Sequence, residues 1–208
     1  ISSLTALRLV SHVPVIAHVD LSCLDEIDGE GESVLRGLLH MIDTLMMPVF
    51  TRRTMIIPAA GPEDNGIVYN SRHSVQHQSE FFDPNMPSDP DMGEVTELLR
   101  REPGALRSNH PILSFTSIGV DAALRAQTLS DPLAPLRVLA ELEGWVLQAG
   151  ADHTRNFSLH LAEQMAGRKT FVRWALTPDR IVELPNMPGC SRGFNRFAPV
   201  AERITRQA

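Results

Sequence analysis

Only two cysteines, Cys23 and Cys190, occur in 208 residues. They are too few for a disulfide framework and too far apart for a local zinc clip, so the expected compartment is a reducing cytoplasm. Lysine is almost missing, Lys169 being the only one, and Lys plus Arg number 19 against 25 Asp plus Glu, a formal charge of -6. That balance argues against broad electrostatic binding of nucleic acid or of anionic lipid. Long apolar runs are also missing. Met41 to Phe50 and Met55 to Ala60 are broken by polar residues or proline and fall well short of the ~20 residues a bilayer span needs, so no membrane span is expected. No internal repeat or low-complexity tract is found, which excludes a solenoid. The chain opens at Ile1 with neither an initiator Met nor an export-signal pattern, and missing N-terminal residues are the expectation.

What is present is ordinary globular sequence, with 43% hydrophobic and 21% charged residues, long enough to bury about 70% of its unfolded surface in one domain over 1–208. The β-branched run Pro14 to Val19 predicts a buried strand. Val34, Leu35, Leu38, Leu39 and Ile42 recur at helix spacing, and Thr44 to Phe50 predicts a second strand. Strand, helix, strand at this spacing makes a βαβ-like unit with a parallel pair. From about 59 to 92 periodicity disappears into Pro, Asp, Asn, His and Gly, which predicts a long irregular loop on the substrate or dimer side. A helix over Glu94 to Arg101, a turn at Asn109-His110-Pro111 running into a strand, and short helices over Asp121 to Ala126 and Leu136 to Leu142 follow. Then come a strand over Gly144 to Gly150, a polar loop entering a helix at Asp152 to Glu163, antiparallel strands over Thr170 to Glu183, and a helix near Ala198 to Ile204.

Three polar clusters lie where apolar elements end, His18 to Ser22, Glu97 to His110 and Asp152 to Glu163, which is where α/β proteins build sites. His153, His160 and Glu163 follow the pattern H-x6-H-x2-E, which raises a metal hydrolase. On a helix, however, zinc-binding histidines take the i, i+4 spacing, and only one i, i+3 pair is offered, so no metal is expected. His110 is the stronger candidate for proton transfer, because Pro111 fixes the turn after it and imidazole titrates near neutral pH. Glu97 either orients it or is a solvated helix acid, and His110 itself either acts as a base or merely caps a strand.

Whole motifs carry a resemblance. Met92-Gly93-Glu94-Val95-Thr96-Glu97-Leu98-Leu99-Arg100, Pro103-Gly104-Ala105-Leu106-Arg107-Ser108-Asn109-His110-Pro111 and Ser114-Phe115, in that order, resemble the central signature of the aminoglycoside N3-acetyltransferase family. Gly144-Trp145-Val146-Leu147, Asp152-His153-Thr154, Asn156, Ser158-Leu159-His160-Leu161-Ala162-Glu163 and Gly189-Cys190-Ser191 extend it over about His18 to Phe197. The resemblance implies a layered αβα-type α/β fold of a single domain with a central mixed sheet. It implies direct acetyl transfer from acetyl-CoA to an amino sugar, with His110 as general base, Glu97 as its orienting carboxylate and Asn156 completing the group.

The same resemblance places the cofactor at His18, Val19, Asp20, Leu21 and Ser22, with Arg107 and Ser114. Val19 and Asp20 stand where the family has two serines, so two hydroxyl donors are lost and a negative charge is added near a pyrophosphate. Asp152 and Glu163 are read either as substrate contacts or as a loop cap and a helix-surface acid. A member that has lost turnover and serves as a CoA or ligand-binding protein is the second reading, motivated by Val19 and Asp20. The long loop, with few apolar anchors, favours a homodimer in which a partner orders it.

Overall fold

The computed structural model describes residues 12–23, 30–70 and 79–205. Its first strand, β1 (Val15–Val19), is buried along its whole length, as a β-branched run at a sheet centre should be. The helix α1 (Glu30–Met41) returns the chain to β2 (Leu45–Pro48), which pairs with β1 in parallel, Val15 opposite Leu45. After β3 (Met55–Ile56) and α2 (Glu94–Arg101) come β4 (Leu106–Arg107) and β5 (Phe115–Ile118), both antiparallel additions. The helices α3 (Asp121–Ala126) and α4 (Ala134–Glu141) lead to β6 (Trp145–Ala149), parallel to β1. The central sheet is therefore mixed, in the order β4-β5-β2-β1-β6.

A second sheet was not foreseen in full. Beyond α5 (Leu159–Met165), β7 (Phe171–Leu176) and β8 (Ile181–Met187) form the expected antiparallel pair, but β3 joins β7, Met55 opposite Ala175, to make three strands. Two residues of β3 carry no period of their own, so only the tertiary pairing identifies them. The last described element is α6 (Ala198–Thr205).

Strand alternation divides the interior in two. Val15, Ala17 and Val19 pack with Leu35, Leu38 and Ile42 of the α1 region and with Val95 and Leu99 of α2. Ile16 and Met46 face the other way, toward Leu124, Leu136, Leu139 and Leu161 and the second sheet's Ala175, Val182 and Leu184. Each such fully buried aliphatic side chain contributes about 1.5–3 kcal/mol of gross transfer energy. The same alternation puts His18 on the Ile16 side, where the second sheet and α5 lie. At Gly119, φ is +83° and a Cβ would meet the Asp43 carbonyl at 2.7 Å, so glycine is required at the exit of β5.

The expected long irregular loop over 59–92 carries no strand or α-helix in its described residues, and its residues 71–78 lie outside them. Residues 79–92 form a packed strap. Phe82 and Met86 are buried, and the buried Asp89 carboxylate accepts hydrogen bonds from Arg52 N at 2.8 Å and Nε at 2.9 Å. Side-chain hydrogen bonds replace a backbone ladder here, and a hydrophobic period does not register them. Among the described residues no helix is long and apolar enough to cross a membrane.

Candidate active site

A cavity of about 750 Å³ opens at the carboxyl ends of β1 and β2, bounded by Ala17, His18, Val19 and Pro48 on one side and by Phe171, Arg173 and Met187 of the second sheet on the other. Phe50, Ile112, Leu113 and Phe157 make its floor apolar, and Arg52, Asp91, Thr154, Arg155, His160 and Cys190 bring polar groups to it. This is the position at which parallel strands of an α/β sheet leave a crevice for ligands.

His160 supplies the sharpest chemistry. It is 3% exposed, its Nδ1 lies 3.0 Å from Glu163 Oε2, and its ring packs between Phe157 and Phe194 at centroid distances of 4.9 and 4.7 Å. With the carboxylate accepting, Nδ1 carries the proton and Nε2 keeps a free lone pair. Burial lowers the pKa of His160, while the hydrogen bond and charge of Glu163 work in the opposite direction. One turn of α5 separates the two side chains, which is why the i, i+3 spacing brings them together.

The structure does not bring the expected His110 and Glu97 together. His110 is 2% exposed and outside the cavity lining; its Nδ1 accepts the backbone N–H groups of Ile112 at 3.2 Å and Leu113 at 3.0 Å. The proton therefore sits on Nε2, which has no partner among the described residues. Burial pushes the pKa of this imidazole down to about 4. The one lone pair the ring can offer is thus taken by the two amides of its own turn. Glu97 instead accepts from Arg100 Nη2 at 2.7 Å, Arg101 Nε at 2.8 Å and Ser88 N at 3.1 Å. Burial alone would raise its pKa, but the hydrogen bonds from Arg100 and Ser88 prevail and hold it at about 2. Asn156 is buried beneath the turn into α5, where its Oδ1 accepts Ser158 N at 3.2 Å, outside the lining of this cavity.

Of the expected cofactor segment, His18 and Val19 at the end of β1 line the cavity, while Asp20, Leu21 and Ser22 after it do not. Burial takes the pKa of His18 down to about 4, and its Nε2 has no partner among the described residues. Asp20 turns away into its own turn, accepting Ser22 N at 3.1 Å and Ser22 Oγ at 2.6 Å, and its other oxygen pairs with Arg155 at 3.0 Å. The added negative charge is therefore met by a cation from the neighbouring turn. Arg107 and Ser114 also lie outside the lining: Arg107 donates to Ser114 Oγ at 3.0 Å and to the carbonyls of Met86 at 2.6 Å and Val49 at 3.1 Å, tying the strap to the sheet. Asp152 caps the turn before α5, accepting Thr154 N at 2.9 Å and Asn195 Nδ2 at 2.8 Å. No three His, Cys, Asp or Glu side chains among the described residues come together as a metal-binding group.

Arg155, Arg173 and Phe171 escaped the sequence reading because nothing in their local pattern sets them apart. The His160–Glu163 couple is visible as an i, i+3 spacing, which by itself reads as an incomplete metal pattern.

A mixed sheet with a cavity at its parallel carboxyl ends and a histidine–carboxylate couple in the wall defines a ligand-binding protein of the α/β class. The chain belongs to the aminoglycoside 3-N-acetyltransferase family, whose sequence profile matches residues 16–183. It is 41% identical over 139 residues to aminoglycoside N(3)-acetyltransferase IV of Salmonella sp, covering 62% of this chain and 46% of that protein. It is 31% identical over 169 residues to aminoglycoside N(3)-acetyltransferase VII of Streptomyces paromomycinus, covering 78% of this chain and 58% of that one. The chain thus spans about half the length of the curated relatives it matches. The crystal structure of YokD from Bacillus subtilis superposes with a TM-score of 0.79 at 24% identity, covering 96% of this chain and 78% of that one. AAC-IIIb in binary complex with CoASH superposes at 0.73 and 23% identity, covering 100% and 83%.

Proposed function

We propose that the chain carries the acyl-transfer core of an acetyl-CoA-dependent N-acetyltransferase acting on the 3-amino group of an aminoglycoside. The observation that carries this reading is the His160–Glu163 couple in the cavity wall, in a chain whose family and curated relatives are named for that reaction. The CoASH complex of AAC-IIIb supports the choice of donor. The residues present fit that donor: the apolar floor suits a pantetheine arm, Arg155 and Arg173 face the same cavity, and His18, whose Nε2 has no partner among the described residues, lies in its wall. Acetyl-CoA supplies an acyl group already activated as a thioester, so the protein has to orient two ligands and manage one proton.

His160 Nε2 takes the proton of the amine as its nitrogen bonds to the acyl carbon, and the same imidazolium returns that proton to the departing sulfur. Glu163 holds the ring in the tautomer that leaves Nε2 free and stabilises the imidazolium while it exists. In this reading His110 locks the turn over 110–113 rather than touching substrate, and Glu163 acts on His160 rather than on the amino sugar.

Thiol release from acetyl-CoA over a panel of aminoglycosides tests this. His160→Ala is expected to lower kcat by about 10² to 10⁴, the usual loss of a general base, in a protein that still folds but melts lower for the packing lost between Phe157 and Phe194. His110→Ala is expected to lower the melting temperature while the folded protein keeps its turnover. A His160→Ala protein within tenfold of the native rate, or a well-folded His110→Ala protein without turnover, would move the base to His110.

A further inference from the structure

The wall of the cavity formed by β7 holds an arginine that pairs with no carboxylate among the described residues. Arg173 Nη1 donates to the carbonyls of Val172 at 2.8 Å and Asn65 at 3.0 Å, and its guanidinium stands 5.1 Å from the centre of the Phe171 ring. Among the described residues it forms no ion pair with a carboxylate. The other two arginines of the lining are compensated, Arg52 by Asp89 at 2.9 Å and by Asp91, and Arg155 by Asp20 at 3.0 Å. Burial lowers the pKa of Arg173, while Tyr69 works in the opposite direction. A half-buried guanidinium of this kind is costly unless a ligand brings the missing anion.

The presentation is also rigid. A Cβ at Gly66 or at Gly189 would come within 3.3 or 3.2 Å of the Phe171 ring, so the two glycines close on the aromatic plate that carries the guanidinium. A planar fork held in one orientation suits a phosphate, which accepts two parallel N–H bonds.

We infer that Arg173 is an oxyanion-recognition site in the cavity, taking a phosphate carried by one of the two ligands of the transfer. The inference rests on the proposed function only in that donor and acceptor share this cavity. On the donor side the phosphate belongs to the coenzyme, and on the acceptor side to a phosphorylated amino sugar.

Isothermal titration with matched pairs that differ by one phosphate separates these sources: coenzyme A and dephospho-coenzyme A, phosphopantetheine and pantetheine, glucosamine 6-phosphate and glucosamine. The native protein is expected to prefer the phosphorylated member of at least one pair by tenfold or more. Arg173→Gln is expected to reduce that preference to less than twofold without weakening the unphosphorylated member, and the pair affected names the ligand. Arg173→Met, which keeps the packing on Phe171, repeats the measurement if the glutamine variant does not fold. No preference in the native protein, or one that survives both substitutions, overturns the inference. Acetyl transfer measured on the same preparations keeps the two readings apart. A phosphate preference without turnover sinks the acetyltransferase and leaves the subsite, whereas turnover without a phosphate preference does the reverse.

Discussion

His160 and His110 are both buried and both bonded through Nδ1, yet their hydrogen bonds leave Nε2 in opposite protonation states. A carboxylate accepts from Nδ1 of His160, whereas backbone amides donate to Nδ1 of His110. The first arrangement frees a lone pair at Nε2, and the second places a proton there. Glu163→Gln removes the charge that works against burial at His160, so the imidazole should lose its proton more readily and support the imidazolium less well. The expected outcome is a kcat lower by about tenfold or more and an acidic limb of the pH–rate profile displaced to lower pH. An unaltered limb would detach Glu163 from His160. Asp20 belongs at this scale too: the Ser22 hydrogen bond leads the causes that lower its pKa, and its pairing with Arg155 is partly exposed. Asp20→Ser should therefore change stability by less than about 1 kcal/mol in denaturant unfolding.

At the level of elements, the strap over 79–92 shows how a segment without periodicity becomes ordered. Arg107 reaches from β4 to the carbonyls of Pro84 and Met86 while its guanidinium lies 5.5 Å from the Phe82 ring centre. Glu97 anchors the far end of the strap through Ser88 and joins it to Arg100, which also donates to the Asn85 carbonyl at 3.1 Å. Arg107→Ala strands several carbonyls at once and should cost about 2–4 kcal/mol in denaturant unfolding. Amide hydrogen exchange should accelerate in 79–92 before it does in β1 and β2. Uniform acceleration across the sheet would mean that the strap and core open together.

For the molecule as a whole, buried titratable groups set the response to acid. His18 and His110 stand near pKa 4 in the folded chain against an ordinary 6.5. Between those values the unfolded chain binds protons first, so their stabilisation is complete above about pH 6.5 and is lost as pH falls toward 4. On the order of 3 kcal/mol is at stake for each. Glu97 extends the trend: held at about 2 against 4.5, it contributes about 2 kcal/mol after allowance for partial exposure, present above pH 4.5 and lost toward pH 2. The melting temperature should therefore fall steadily from pH 7 to pH 4, and His110→Gln should flatten that slope by about half. A melting temperature constant between pH 7 and pH 5 would contradict the assigned burial.

The sequence by itself determined the strands and helices that have a period: β1, α1 and β2 follow from their apolar spacing because burial on one face or both imposes it. Its motifs also pointed to the family, and the i, i+3 spacing of His160 and Glu163 was legible because one helical turn makes such residues neighbours. Tertiary structure alone decided the rest. Which histidine keeps a free lone pair depends on the groups around each ring, and His110 loses its own to amides of a turn that sequence cannot orient. The cavity joins β1 to β7, with Arg173 held on Asn65 from 108 positions away. Such contacts arise from how the two sheets pack, and packing leaves no periodic trace in any one segment.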